Sequence, residues 1–375
     1  MKILHITGYF NEKVAYQENM LTQGQTELGH SVYVLTSNLL IEIPSNKNNR
    51  VVKTGTYDYN GITIVRTPHT IEIKRNSLVY FQKVIKNLIK IKPDYIFVHD
   101  KGTYIFSVLF YKIFFNRNML LRMDFHSDFT NSMNSKFGKY YHFIFKIIFK
   151  FFGFAFDRYY YIAPEMGHFI NKVYGLPESK CELLRLPGNA NHVANLTKQD
   201  CRNIWKFDSN TIYFLHSGKL PEGKKTIELI KSINNLDVKL IICGSIAGEK
   251  KQILENLIKE SSNVEYKGWV NPNELRELIK ASDAIIQPGT NSNTFVEAVC
   301  IGTPLILANS PYSRDLINFE NGVIIDNPVT EKGIKEALDV FITDIKKYQH
   351  SASIQKDVFD YLTISKQSVK TWFCL

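Results

Sequence analysis

Short apolar runs separated by amphipathic stretches set the rhythm of this chain. Lys2–Thr7, Ser31–Thr36, Thr63–Arg66 and Tyr95–His99 read as strands, and helical spacing predicts helices over about Gln17–Leu28 and Ser77–Ile91. The rhythm restarts further on. Ile212–His216, Lys239–Cys243, Val264–Tyr266 and Ala284–Gln287 are the strands, and helices are expected after Lys225, over Gly248–Ser261 and over Glu274–Ala281. Repeated strand–helix–strand units imply an α/β fold with doubly wound, largely parallel sheets. Asn189–Ser209 is polar with little apolar periodicity and is the expected hinge. The hinge divides residues 1–190 from residues 191–350.

A length of 375 residues suits two cores rather than one, and 44% hydrophobic residues suffice to fill them. Lysine and arginine number 46 against 36 acidic residues, a balance that favours nucleotide phosphates, other polyanions or an anionic membrane. The five cysteines are scattered and lack both metal-ligand spacing and a disulfide framework, so reduced thiols in a cytoplasmic protein are expected. MKILHITGYF reads as a first strand entering a turn rather than a signal peptide. No apolar run reaches the roughly 18 residues that span a bilayer.

The richest stretch is IIQPGTNSNTFVEAVCIGTPLI, residues 285–306. Ile285 and Ile286 end a buried run, Pro288 and Gly289 break it, and Thr294 to Glu297 has the spacing of a helix start. Such a start, at the end of a parallel strand, favours an anion such as a nucleotide diphosphate. A second reading leaves Glu297 as the far half of a capping box.

In order along the chain, GYFNEKVAYQENML, LGHSVYVLTS, FDRYYYIAPEMGHFI, LLRLPGN, FLHSGKLPEGKKTIELI, LIICGS, VEYKGWVNPNELRELIKASDAIIQPG and EAVCIGTPLIL resemble the nucleotide-sugar-dependent glycosyltransferases of family 4. The resemblance covers nearly the whole chain. It implies the GT-B fold, two Rossmann-like domains facing across a cleft, with residues 351–375 returning to the first domain, so that the first domain is 1–190 plus 351–375 and the second 191–350. It also implies transfer of a hexose with retention of configuration from a nucleotide sugar, UDP-linked by preference, with no cofactor.

Transfer from a nucleoside diphosphate sugar needs charge stabilisation on the leaving diphosphate. The chain has no Asp-x-Asp pair, so no metal is expected, and Lys219 and Lys224 are the expected cations. Lys219 stands where relatives carry arginine, which keeps the charge and loses the planar fork. A solvated lysine-rich helix start is the bland alternative. Glu297 matches the glutamate that takes the ribose hydroxyls in relatives, while Gly289 occupies the register of their other, sugar-facing glutamate. Thr290, Asn291 and Asn293 are candidate replacements for it. Gly8 and Gly218 fall at the diphosphate loops, and Gly268, Trp269 and Val270 at the base pocket, although Trp269 is equally suited to core packing.

In the first domain, MDFHSDF places Asp124, His126 and Asp128 at a strand end. The resemblance maps His126 to the histidine that meets the donor sugar, where it orients rather than attacks; alone, such a histidine is as readily structural. His99, Tyr16, Gln17 and Glu18, together with Asp124 and Asp128, are assigned to the acceptor side. Beyond them, KFGKYYHFIFKIIFKFFGFAFDRYYY spaces Lys139, His142, Lys146 and Lys150 along one helical stripe beside Phe145, Ile148, Phe149 and Phe152. With Lys74, Arg75, Lys83, Lys86 and Lys90, this suggests peripheral binding to the cytoplasmic face of an anionic membrane and a glycan or lipid-linked acceptor in surface polysaccharide synthesis. A packed helix with an exposed lysine stripe is the alternative. A nucleotide-sugar epimerase, a sugar hydrolase and a non-catalytic nucleotide-sugar-binding subunit are the rival functions. No nucleic-acid readout motif accompanies the charge.

Overall fold

The computed structural model describes residues 1–42, 46, 49–73, 77–127, 136–234, 236–246, 248–354 and 356–370. They form two compact units, Met1–Arg185 with Ile364–Leu375, and Leu186–Thr363.

The first unit runs β1 (Lys2–Ile6), α1 (Gln17–Glu27), β2 (Ser31–Ser37), β3 (Gly55–Tyr59), β4 (Ile62–Thr67), β5 (His69–Ile73), β6 (Leu78–Phe81), α2 (Val84–Ile91), β7 (Tyr95–Val98), α3 (Ile105–Phe114), β8 (Leu120–Phe125), α4 (Lys136–Phe152), β9 (Arg158–Tyr161), α5 (Pro164–Tyr174) and β10 (Cys181–Leu183). Its eight-stranded sheet has the order β10-β9-β8-β7-β1-β2-β4-β3, and only β3 runs antiparallel. Helices cover both faces, which is why β1 and β7 are almost uniformly apolar. Strand order reverses beside β1, and a crevice for ligands forms at such a point, at the carboxyl ends of β1 and β7.

The second unit continues with α6 (Lys198–Trp205), β11 (Ile212–Leu220), α7 (Thr226–Ile233), β12 (Val238–Ile246), α8 (Lys251–Glu260), β13 (Val264–Gly268), α9 (Pro272–Ala281), β14 (Ala284–Gln287), α10 (Thr294–Ile301), β15 (Leu305–Ala308), α11 (Pro311–Ile317), β16 (Gly322–Ile325), α12 (Glu331–Thr343), α13 (Ile345–Ile354) and the start of α14 (Tyr361–Val369). Its six parallel strands have the order β13-β12-β11-β14-β15-β16, so the reversal falls between β11 and β14.

Three expectations need correction. The helix expected from Ser77 begins only at Val84, because Leu78–Phe81 buries Val79 and Phe81 and exposes Tyr80, a period of two that pairs with β5. The expected hinge contains α6, which starts at a capping box between Thr197 and Asp200; its apolar stripe is short, Cys201, Ile204 and Trp205, and of these only Cys201 is buried. The division also lies elsewhere than at 190 and 351. Gly188 donates to the Phe359 carbonyl at 2.8 Å and accepts from the Tyr361 N–H at 2.9 Å, which ties both segments to the second unit. From Ile364 onward the chain belongs to the first unit, where Arg122 Nη1 and the Tyr95 hydroxyl donate to the Ser368 carbonyl at 2.8 and 3.0 Å.

The buried carboxylate of Asp283 organises the base of the second unit. It accepts from Arg202 Nη2 at 2.7 Å, Lys198 Nζ at 2.6 Å, Gln349 Nε2 at 3.1 Å and the Tyr213 N–H at 2.8 Å. Arg202→Ala is therefore expected to cost about 3–5 kcal/mol, the range for breaking a buried pair. Urea denaturation of the variant checks this, and a loss below about 1 kcal/mol would reduce the pair to a surface contact.

Candidate active-site residues

In the second unit, two turns meet beyond the strand ends. One follows β11 through Pro221–Lys225, and the other follows β14 through Pro288–Asn293. Gly289 lets them touch: a Cβ there would lie 2.1 Å from the Gly223 carbonyl oxygen and 2.6 Å from the Lys224 backbone. No side chain fits, so the carboxylate that relatives place in this register is excluded by backbone. The Thr290 N–H is also taken, donating to Gly223 O at 3.0 Å, and so does not point freely at a ligand.

Lys224 closes the contact. Its side chain is buried, and Nζ donates to the carbonyls of Thr290 at 2.7 Å and Asn291 at 3.1 Å. Burial pulls the ammonium down to about 8. Lys219 instead ends β11 with its side chain exposed, near Gly218, whose φ of 120° is glycine territory. Thr290, Asn291 and Asn293 are exposed on the opposing turn, and Asn291 Oδ1 accepts from Ser310 Oγ at 3.3 Å.

Glu297 does not complete a capping box. The N-cap Asn293 is αR with no side-chain cap, and the Glu297 carboxylate accepts from Arg276 Nη2 at 2.9 Å, with both side chains nearly buried. Burial raises the Glu297 carboxyl and Arg276 opposes that rise. Arg276 lies on α9, which starts just after Gly268, Trp269 and Val270; Gly268 is left-handed at φ 69°, and Trp269 is 47% exposed, which rules out core packing. Two residues here escaped the sequence reading. Arg276 carries no local signal, and His216, fully buried, joins the Ile286 carbonyl and the Thr226 hydroxyl at 2.9 Å each. Burial holds His216 neutral, at about 4.

The first unit gathers its candidates around β1, β7, β8 and the start of α1. Gly8 follows β1, where a Cβ would meet Val79 Cγ1 at 2.8 Å. Tyr16 is the α1 N-cap without a side-chain cap bond; Gln17 is buried with neither amide atom hydrogen-bonded; burial raises the Glu18 carboxyl, while His99 and His126 nearby oppose it. Asp124 is fully buried; it takes His99 Nδ1 on Oδ2 at 3.0 Å and the Asp100 N–H on Oδ1 at 2.7 Å. His126 Nε2 lies 3.6 Å from the same Oδ2, with the ring 37% exposed. Burial would raise the Asp124 carboxyl, but His99 and His126 hold it well below the carboxylate range; burial would lower His126, but Asp124 raises it. His99 and Asp124 thus sit beneath the surface, and His126 is the exposed member of the trio. Asp128 lies outside the described residues.

α4 also differs from expectation. Phe145, Ile148 and Phe149, taken as its membrane face, are buried in the core with His142, because the sheet claims that side. A second apolar face is open instead. Phe143, Ile147 and Phe151 are 57%, 42% and 63% exposed among the exposed Lys139, Lys146 and Lys150. Among the described residues, no helix is long and apolar enough to cross a membrane, and no acidic, histidine and cysteine cluster suits a metal.

Residues 197–356 match the family model of glycosyl transferases group 1. The chain is a glycosyltransferase with the GT-B fold. Among solved structures, this glycosyltransferase is similar to sucrose-phosphate synthase from Thermosynechococcus elongatus, with TM-score 0.71, 12% identity and 98% and 97% of the two chains covered. It is likewise similar to Anabaena HepE in complex with UDP and glucose, with TM-score 0.70, 14% identity and 98% of each chain covered. A third structure is WaaG, a glycosyltransferase involved in lipopolysaccharide biosynthesis, with TM-score 0.64, 14% identity and 98% of each chain covered. Comparison with curated proteins finds no match.

The Gly289 contact has a direct test. Gly289→Ala forces the Gly223 turn away and is expected to cost about 1–3 kcal/mol of stability, the range for overpacking. Thermal denaturation checks it, and a Tm equal to wild type would show that the two turns do not touch.

Proposed function

We propose that this glycosyltransferase moves a hexose from a nucleotide sugar, UDP-linked by preference, to a glycan or lipid-linked acceptor in surface polysaccharide synthesis, with retention and without a metal. The observation that carries the reading is the pair of turns at the strand reversal of the second unit. They bring Lys219, Lys224 and the Arg276-held Glu297 to one strand-end region, the usual place for a nucleotide in such sheets. Lys219 and Lys224 would neutralise the leaving diphosphate, Glu297 would accept from the ribose, and the backbone at Gly268–Val270 would border the base. Thr290, Asn291 and Asn293 would meet the sugar in place of the carboxylate that Gly289 excludes. HepE's complexes with UDP, glucose and UDP-glucose support the donor class.

In the first unit, His126 would engage the transferring sugar, with Tyr16, Gln17 and Glu18 bordering the acceptor. The domains follow the two compact units. The open face of α4 would rest on anionic lipid: aromatic side chains enter the interface while lysines reach headgroups. α3 adds the exposed Phe106, Phe110 and Phe114. On this reading the protein would work at the cytoplasmic face of a membrane.

Calorimetric titration with UDP tests the donor site. Glu297→Gln is expected to weaken UDP about tenfold or more, the worth of a charge-assisted hydrogen bond. Unchanged affinity in a folded variant would leave Glu297 a partner of Arg276 alone. Because Lys224 is charged only below about 8, UDP affinity is expected to fall as pH rises through that value, and the fall to vanish in Lys224→Met. Turnover is expected to survive EDTA.

Liposome flotation tests the membrane surface. Lys146→Glu with Lys150→Glu is expected to release the protein from anionic vesicles, since each basic residue near such a surface contributes about 1 kcal/mol. Flotation insensitive to these changes and to Phe143→Ser with Phe151→Ser would remove the lipid contact.

A further inference from the structure

A buried line of hydrogen bonds crosses the first unit behind His126, and its direction is set from one end. On α14 the Ser368 hydroxyl donates to the Ser365 carbonyl at 2.7 Å, so its oxygen is left to accept. It accepts from Gln25 Nε2 on α1 at 2.9 Å, which turns Gln25 Oε1 toward His5 Nε2, 2.7 Å away. An amide oxygen only accepts, so the His5 proton sits on Nε2. Burial, reinforced by His99, holds His5 down at about 3, so its Nδ1 is bare. That nitrogen lies 2.8 Å from His99 Nε2, which must therefore donate. The opposite ring nitrogen of His99 faces Asp124 Oδ2 at 3.0 Å, and a carboxylate also only accepts. Both His99 nitrogens are called on to donate.

We propose that His99 is a positioning residue of this transferase, an imidazolium locked between His5 and Asp124 that fixes the carboxylate behind His126. The role rests on the reading of His126 as the sugar-facing histidine. Both histidines face the buried carboxylate, and the nearer is His99, at 3.0 against 3.6 Å. Asp124 then holds the partly exposed His126 by a longer contact, 3.6 Å, while His99 takes the shorter one. Among the described residues, few other titratable groups lie around His99. α1 brings Glu18, α3 brings Tyr104, whose hydroxyl donates to the His99 carbonyl at 2.7 Å, and Asp100 and Lys101 follow in sequence, paired with each other at 2.5 Å. From α14 only serines reach the line. His5 and His99 also stack, their rings 5.1 Å apart, so the pair is fixed in orientation as well as in charge.

Nitrogen-15 NMR of the full chain labelled at histidine reads the claim at neutral pH. His99 is expected to show two protonated ring nitrogens and His5 one; a bare nitrogen on His99 would overturn the proposal. His5→Phe keeps the stacking area and removes the acceptor. It is expected to leave His99 singly protonated, to raise the His126 titration midpoint, and to lower kcat for UDP release from UDP-glucose about tenfold with UDP affinity unchanged. Ser368→Ala, which removes only a hydroxyl and frees the Gln25 amide to turn, is the milder second variant and is expected to act in the same direction. A wild-type His126 midpoint and kcat in both variants would refute the positioning role. No turnover of any nucleotide sugar by the wild type would overturn the transferase reading and the role with it, while the nitrogen shifts would still decide the charge on His99.

Discussion

The ammonium of Lys224, held by the carbonyls of Thr290 and Asn291, is the contact on which the second unit's site depends. It joins the turns after β11 and β14, and those two strands flank the point where strand order reverses. Two backbones approach closely only where a side chain is missing, and Gly289 supplies that gap. A buried cation between carbonyl dipoles is costly to desolvate, which is why its proton is loosely held near neutral pH. In the proposed reading the same cation also meets the leaving diphosphate.

The first unit solves a comparable problem with a carboxylate. Asp124 is fully buried and satisfied by a backbone N–H and two imidazoles, only one of which reaches the surface. The other leads inward, through His5 and Gln25, to the helix that closes the chain. The strand end that carries Asp124 and His126 is in this way tied to a segment distant in sequence, and no local motif marks the link.

What the sequence made legible follows from period and spacing. The parallel strands β1, β7, β11 and β14 are buried on both faces and show as apolar runs, and the Pro288–Gly289 break marked the turn that matters. α6 is hard to see because it is short and polar on balance, and Leu78–Phe81 reads as helix because four residues are too short to separate periods of two and 3.6. Glu297 stands out in the sequence as an acidic residue at a helix start beside the turn, but its partner Arg276 lies 21 residues away, beyond any local pattern. On α4 the amphipathic period was visible and its direction was not: aromatic residues occupy both faces, and only packing shows that Phe149 faces the sheet and Phe151 faces solvent.

The central claim is transfer of a sugar from a nucleotide donor, and acceptor-dependent release of nucleoside diphosphate is its most direct measure. The purified chain would be incubated with a panel of nucleotide sugars and a membrane lipid extract, following UDP release and the mass of any new glycolipid together. The expected result is UDP release that requires the extract and rises in step with a product heavier by one hexose. Tight UDP binding with no release from any donor, with or without extract, would contradict the account and leave a nucleotide-binding protein on the same fold.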